Sequence, residues 1–153
     1  MNLCSIKLAN MQEEHVGDIY IIEKTCFSNP WTEEGIRAEL KNKNARFTVA
    51  LKGKKVIGYV GMYNVCSCGY ITNIAVLPEY RRTGVAKRLL NEIIFLGTNE
   101  NMDFISLEVR ESNVAAIGLY RSLGFETVGV RKNFYTKPIE DAIIMTKFLG
   151  SEL

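Results

Sequence analysis

A mixed α+β fold, with a twisted and mostly antiparallel sheet of about seven strands flanked by about four helices, follows from three observations. Runs rich in β-branched and aromatic residues occupy Phe47 to Leu51, Val56 to Val65 and Tyr70 to Leu77, separated only by short turns. A basic, glycine-containing turn, Arg81-Arg82-Thr83-Gly84, then opens the helix-like run Val85 to Leu96. Beyond it, strand-like and helix-like segments alternate before the chain closes on two strand-like runs. Four strands preceding the basic turn argue against a simple alternating nucleotide-binding fold.

Taken in order, Cys4 to Leu8 alternates as a first strand. Met11, Val16, Ile19, Tyr20 and Phe27 fall at helical spacing and predict a first helix from about Gln12 to Cys26. Ser28-Asn29-Pro30 interrupts it. Thr32 then serves as N-cap of a second helix running to about Lys41, with Glu33 and Glu34 favouring the dipole in its first turn. The strands Phe47 to Leu51 and Val56 to Val65 join through Lys52-Gly53-Lys54, and a turn around Cys66 to Gly69 leads into Tyr70 to Leu77.

After the helix that ends near Leu96, Phe104 to Val109 reads as a strand. Ile105, Leu107 and Val109 share one of its faces and Phe104, Ser106 and Glu108 the other. Asn113 caps the next helix, and Gly124 ends it as a left-handed residue. Phe125 to Tyr135 and Ala142 to Phe148 are the closing strands, around a loop containing Pro138. The order is βααβββαβαββ, read as one domain over residues 1–153.

Bulk properties exclude several classes of function. With 47% apolar and 24% charged residues the composition is that of an ordinary globular protein, and a net charge of +2 is too small to attract nucleic acid or a membrane surface strongly. No run approaches the roughly 20 apolar residues of a bilayer span, and the N-terminus lacks the layout of a signal peptide, so a cytoplasmic location is expected. The four cysteines, Cys4, Cys26, Cys66 and Cys68, and the single His15 lack the spacing of a metal site, and no metal is expected.

The turn carries the chemistry. A basic, glycine-containing bend at the start of a helix places free N–H groups side by side, and the helix dipole adds roughly half a positive charge there. Phosphate binds at such a place, and Arg81, Arg82 and Lys87 strengthen the preference for an anion. Further along, Leu107-Glu108-Val109-Arg110, Ser112-Asn113 and Leu119-Tyr120-Arg121-Ser122-Leu123-Gly124-Phe125 complete a recognisable set.

With Asn73-Ile74-Ala75-Val76, Pro30-Trp31 and Asp141-Ala142-Ile143-Ile144-Met145, these segments resemble the GNAT superfamily of N-acetyltransferases, over nearly the whole chain. Within it the chain is most similar to the bacterial ribosomal-protein-alanine N-acetyltransferases. The resemblance implies a GNAT-type domain that uses acetyl-CoA as cosubstrate. It places the cofactor pyrophosphate on the turn Arg81, Arg82, Thr83, Gly84, Val85, Ala86 and Lys87, in which Arg81, Gly84 and Ala86 match the family pattern. It runs the pantetheine arm along Ile74, Ala75 and Val76, and brings Asn113 against the cofactor. Alanine stands at Ala86, where relatives commonly carry glycine.

The same resemblance gives Glu108 the role of base and Tyr120 that of acid. Partial burial at the end of an apolar strand would raise the Glu108 pKa toward neutrality, where a carboxylate is a better base. The other reading of Glu108 is an ion pair with Arg110 or another cation. Tyr120 lies two helical turns beyond Asn113, on the same face. A phenol of pKa roughly 10 can donate to a thiolate of pKa near 8.5, although a tyrosine in such a helix is often simply core. Trp31 and Tyr135, on the segments Ser28 to Trp31 and Tyr135 to Glu140, either clasp the acceptor or pack.

An α-amine has a pKa of roughly 7.7–8.0 against about 10.4 for lysine, so a modest carboxylate base suits a protein N-terminus better than a lysine. This favours an α-amine, and the resemblance makes the expected acceptor a protein N-terminus, the N-terminal alanine of a small-subunit ribosomal protein, attacked directly in a ternary complex by a monomer or weak dimer. The alternatives are a polyamine, drug or lysine amine as acceptor, or a non-catalytic acyl-CoA-binding module.

Overall fold

The computed structural model describes residues 5–150. Seven strands form one sheet in the order β1-β2-β3-β4-β5-β7-β6, where β1 is Ile6–Asn10, β2 Ala45–Lys52, β3 Lys55–Val65, β4 Cys68–Val76, β5 Phe104–Arg110, β6 Glu126–Thr136 and β7 Ile139–Phe148. Helices α1 (Val16–Cys26) and α2 (Glu33–Ala38) follow β1, α3 (Val85–Asn99) follows β4, and α4 (Val114–Ser122) follows β5. Only β4 and β5 pair in parallel; every other neighbour is antiparallel. The fold class and element order agree with those read from the sequence.

Two apolar cores sandwich the sheet. On one face α1 and α2 bring Val16, Ile19, Ile22 and Ile36 against Phe47, Val49 and Tyr59. On the other, α3 brings Val85, Leu89, Leu90 and Ile93 against Ile57, Val60, Met62 and Ile105, and α4 adds Tyr120. β3 is buried without interruption from Val56 to Met62 because helices cover it on both sides, which is why it reads as a continuous apolar run.

Several boundaries differ from expectation. The first strand runs to Asn10, because its ladder with β2 extends as far as Asn10 opposite Thr48; Cys4 lies outside the described residues. The first helix begins as a 3-10 turn, Glu13–His15, in which the Gln12 amide donates to His15 Nδ1 at 2.9 Å. Thr32 caps α2 as expected, its Oγ1 accepting from the Gly35 amide at 3.0 Å, but the last turn tightens to a 3-10 helix at Glu39–Lys41. Asn113 caps α4 through the Ala116 amide, and Gly124 is left-handed at φ +96°. The expected loop from Tyr135 to Glu140 shrinks to Lys137-Pro138, joined by a cis bond, because Tyr135 pairs Glu140 and Thr136 pairs Ile139.

One departure from regularity positions everything functional. β4 pairs β5 only from Cys68 to Tyr70, opposite Phe104 to Ser106, and beyond Tyr70 the two strands part. There the β3–β4 register shifts, with Gly61 opposite Asn73 but Met62 opposite Ile71, so Thr72 is the extra residue of a bulge. Gly61 is needed at that spot: a Cβ would lie 2.5 Å from the Phe47 ring and 2.8 Å from Thr72 Oγ1. Gly61→Ala is expected to cost about 1–3 kcal/mol by overpacking, read as a lower urea midpoint.

Candidate active site

The parting of β4 from β5 opens a cleft through the sheet of ≈ 640 Å³. β4 lines one wall with Ile71, Thr72, Asn73 and Ile74, and β5 the other with Leu107, Glu108, Val109 and Arg110. Ala75 and Val76 are buried, one in each apolar core, while β3 holds the far edge of β4 in register. With no strand paired against it beyond Tyr70, the β5-facing edge of β4 is free to pair with an extended ligand.

At the mouth of this cleft β4 ends in the 3-10 turn Pro78–Tyr80, which sequence reading missed, and the basic bend follows. Gly84 caps α3 at φ +87° and Arg82 also takes a left-handed φ of 61°, while Thr83 Oγ1 bonds the Tyr80 carbonyl at 2.5 Å. Among the described residues the amides of Arg82 through Lys87 have no hydrogen-bond acceptor, since the first α3 bond runs from the Arg88 amide to the Gly84 carbonyl. This is the amide cradle expected for an anion. Arg81 departs from expectation in one respect. Its Nε donates to the Val76 carbonyl at 3.0 Å and its guanidinium reaches Cys26 Sγ at 3.4 Å, so the side chain ties the bend to β4 and α1. Burial pushes the Cys26 thiol up, which keeps it neutral beside that guanidinium.

Glu108, Tyr120, Asn113, Trp31 and Tyr135 all line the same cleft. Glu108 is partly covered: its side chain is 33% exposed and pairs with Arg131 of β6 at 3.2 Å. Arg110 is not its partner. It bonds Glu140 at 3.1 Å and the carbonyls of Lys137 and Pro138 at 3.1 Å, and lies 4.2 Å from the centre of the Tyr135 ring. Tyr120 reaches the cleft from the α4 side and is buried, and burial with the neighbouring Tyr135 phenol pushes its pKa up to about 12. A phenol held that high stays protonated at any working pH and offers a lasting O–H, but it is a weaker proton source than the ordinary tyrosine supposed from sequence. Burial and the Glu108 charge also push the Tyr135 phenol up.

The cleft is roofed as well as walled. Trp31 packs tilted against Phe47, with centroids 6.1 Å apart, and Ser28 Oγ donates to the Lys137 carbonyl at 3.0 Å, linking the α1–α2 segment to the β6–β7 turn. Asn113 spends its side-chain oxygen on the Ala116 amide, leaving its amide nitrogen for a ligand.

Sequence reading missed one group altogether. Glu23, in the last turn of α1, is 1% exposed and lines the cleft. Its Oε1 accepts from the Trp31 amide at 2.9 Å, and its Oε2 accepts from the Tyr59 hydroxyl and from Asn73 Nδ2 at 3.0 Å. The signal was present: Val16, Ile19 and Ile22 set the buried stripe of α1, and Glu23 is the one carboxylate that falls on it.

Comparison with known proteins gives these features a context. The model of the acetyltransferase (GNAT) family matches residues 16–125. A Bacillus subtilis (strain 168) protein named as a candidate [ribosomal protein bS18]-alanine N-acetyltransferase is 39% identical over 137 residues, covering 89% of this chain and 91% of that protein. The crystal structure of the ribosomal-protein-S18-alanine N-acetyltransferase from Escherichia coli superposes with a TM-score of 0.89 at 29% identity, covering 97% of this chain and 96% of that one. A chain of the NatC complex bound to Gag peptide and CoA superposes with a TM-score of 0.83 at 26% identity, covering 95% and 99%.

The Arg110 cluster fixes the roof. Removing charge-assisted bonds to two carbonyls and Glu140 in Arg110→Ala is expected to speed amide exchange across the β6–β7 turn by about tenfold or more, with exchange in α3 unchanged.

Proposed function

Because this chain belongs to the acetyltransferase (GNAT) family and is an acetyl-CoA-dependent N-acetyltransferase, we propose that its acceptor is a protein N-terminus, the N-terminal alanine of a small-subunit ribosomal protein, with the whole chain acting as one domain. The observation that carries this reading is the roofed cleft between β4 and β5, with Glu108 and Tyr120 on its walls and Trp31 and Tyr135 at its top. The names borne by the Bacillus and Escherichia coli relatives support the ribosomal acceptor.

In this reading the unpaired amides of Arg82 to Lys87 bind the diphosphate, and Gly84 allows the backbone its close approach. The open edge of β4 along Ile74, Ala75 and Val76 bonds the pantetheine arm as an added strand, through groups other than the Val76 carbonyl that Arg81 holds, and Asn113 offers its spare amide nitrogen. Trp31 and Tyr135 hold the peptide. Glu108 takes a proton from the amine as its nitrogen bonds the thioester carbon. The carbon–sulfur bond then breaks, the Tyr120 hydroxyl gives its proton to the departing sulfur to leave the thiol, and the proton that Glu108 took from the amine returns to the Tyr120 oxygen. Arg131 holds the Glu108 carboxylate in place before the acceptor arrives.

Thiol release from acetyl-CoA should be fast with Ala-starting peptides, slow with spermidine and absent with the N-terminally blocked peptide; equal turnover of blocked and free peptides would overturn the reading. Glu108→Gln should slow transfer about 100-fold at pH 7 and far less at pH 9.5, where the amine is already neutral. Tyr120→Phe should slow it by a similar factor with the acetyl-CoA Kd unchanged. In the parent enzyme the rate should rise through the amine pKa and then hold level to pH 10.5. A phenol with its pKa raised to about 12 is still protonated there, whereas one near 10 would give a falling limb.

A further inference from the structure

The buried Glu23 carboxylate plays no part in the roles just described, yet its surroundings are specific. All three of its hydrogen-bond donors are neutral: the Trp31 amide, the Tyr59 hydroxyl and Asn73 Nδ2. Among the described residues no cation pairs with it. The Arg81 guanidinium, beside Cys26, bonds the Val76 carbonyl and the thiol. A buried carboxylate is ordinarily paired with a cation or coordinated to a metal. Here a carboxylate lies against the wall of an acceptor cleft held, among the described residues, by neutral donors, while Glu108 across the cleft is already matched by Arg131.

Asn73 turns that charge into a recognition group. A carboxylate can only accept, so the atom of Asn73 that bonds Glu23 is the amide nitrogen, which also reaches the Tyr59 oxygen at 3.1 Å. Its carbonyl oxygen has no hydrogen-bond partner among the described residues, and Asn73 is half-buried on the cleft wall. The bulge at Thr72 sets the side chain there, three residues past the last β4–β5 pair at Tyr70. Burial and the adjacent carboxylate push the Tyr59 phenol up, so it remains a donor to Glu23.

We propose that Glu23, Tyr59 and Asn73 form the seat of the acceptor's α-ammonium group, with the Asn73 carbonyl accepting one N–H and the Glu23 carboxylate behind it favouring the cation. This rests on the N-terminal acceptor reading. At neutral pH about nine-tenths of α-amines are protonated, so the form that arrives is the cation, which gives one proton to water before its neutral nitrogen attacks. The attacking nitrogen gains positive charge again as it bonds the thioester carbon, so the same charge stabilises it during transfer. Glu23 acts through Asn73 and is a positioning residue; Asn73 touches the amine.

The test is calorimetry at pH 7 with CoA bound, comparing an Ala-starting peptide with the same peptide bearing a hydroxyl in place of the amine. The parent enzyme should bind the amine about tenfold tighter or more, the worth of a charge-assisted hydrogen bond. Asn73→Ala and Glu23→Gln should bring that ratio close to one while the CoA Kd stays the same, an effect that mere support of the fold would not produce. Asn73→Ala touches a half-buried site, and it decides the matter even if Glu23→Gln does not fold. An unchanged ratio in folded Asn73→Ala overturns the seat, even while the parent enzyme acetylates Ala-starting peptides. If the parent enzyme acetylates no peptide, the N-terminal reading falls and the seat falls with it.

Discussion

The constraint on which the rest depends is the failure of β4 and β5 to stay paired. Parallel strands joined by a crossover helix normally continue side by side. Here the ladder stops at Tyr70 opposite Ser106, and the extra residue Thr72 bends β4 away. The bulge survives because Gly61 leaves room beneath it for the Phe47 ring. From that one irregularity come an unpaired strand edge, a cleft that passes through the sheet and access to it from both helical layers. Glu108 approaches from the α1–α2 side, Tyr120 from the α3–α4 side, and the amide bend follows the end of β4. A regular seven-stranded sheet of the same sequence composition would have no site.

The second organising element is electrostatic. Two carboxylates from opposite walls face a cleft whose mouth is positive. One is balanced by Arg131, which the edge strand β6 supplies; the other is held only by neutral donors. The amide cradle beyond Gly84 attracts an anion, so the two ends of the cleft favour ligands of opposite charge. That polarity suits a diphosphate carrier at one end and a protonated amine at the other. The roof is fixed separately, by Arg110 gripping Glu140 and the Lys137 and Pro138 carbonyls. The residues that handle charge are therefore distinct from those that hold shape.

Much of this was legible in the sequence because it is local. Thr32 and Asn113 act as caps and Gly124 as a left-handed stop, as their residue types dictate. The element order also follows from periodicity and turns. What was not legible depends on contacts distant along the chain. The partner of Glu108, Arg131, arrives only through the pairing of β6 with β7. The inward turn of Arg81 needs the Val76 carbonyl and Cys26 to be nearby, which no spacing rule reveals. Glu23 was half-visible, as a charge on an apolar stripe, but Tyr59 and Asn73 meet it only once α1 packs on β3 and β4. Local rules gave the frame, and the tertiary pairings decided which charges meet.

The most direct measurement of the central claim is a crystal structure of the protein with CoA and an Ala-starting peptide bound together. The account predicts the diphosphate on the amides between Arg82 and Lys87, the pantetheine arm bonded to the free edge of β4 at Ile74 to Val76, and the peptide amine between Glu108 and Asn73. A pantetheine arm lying outside the opening between β4 and β5, or a peptide terminus directed away from Glu108, would contradict it.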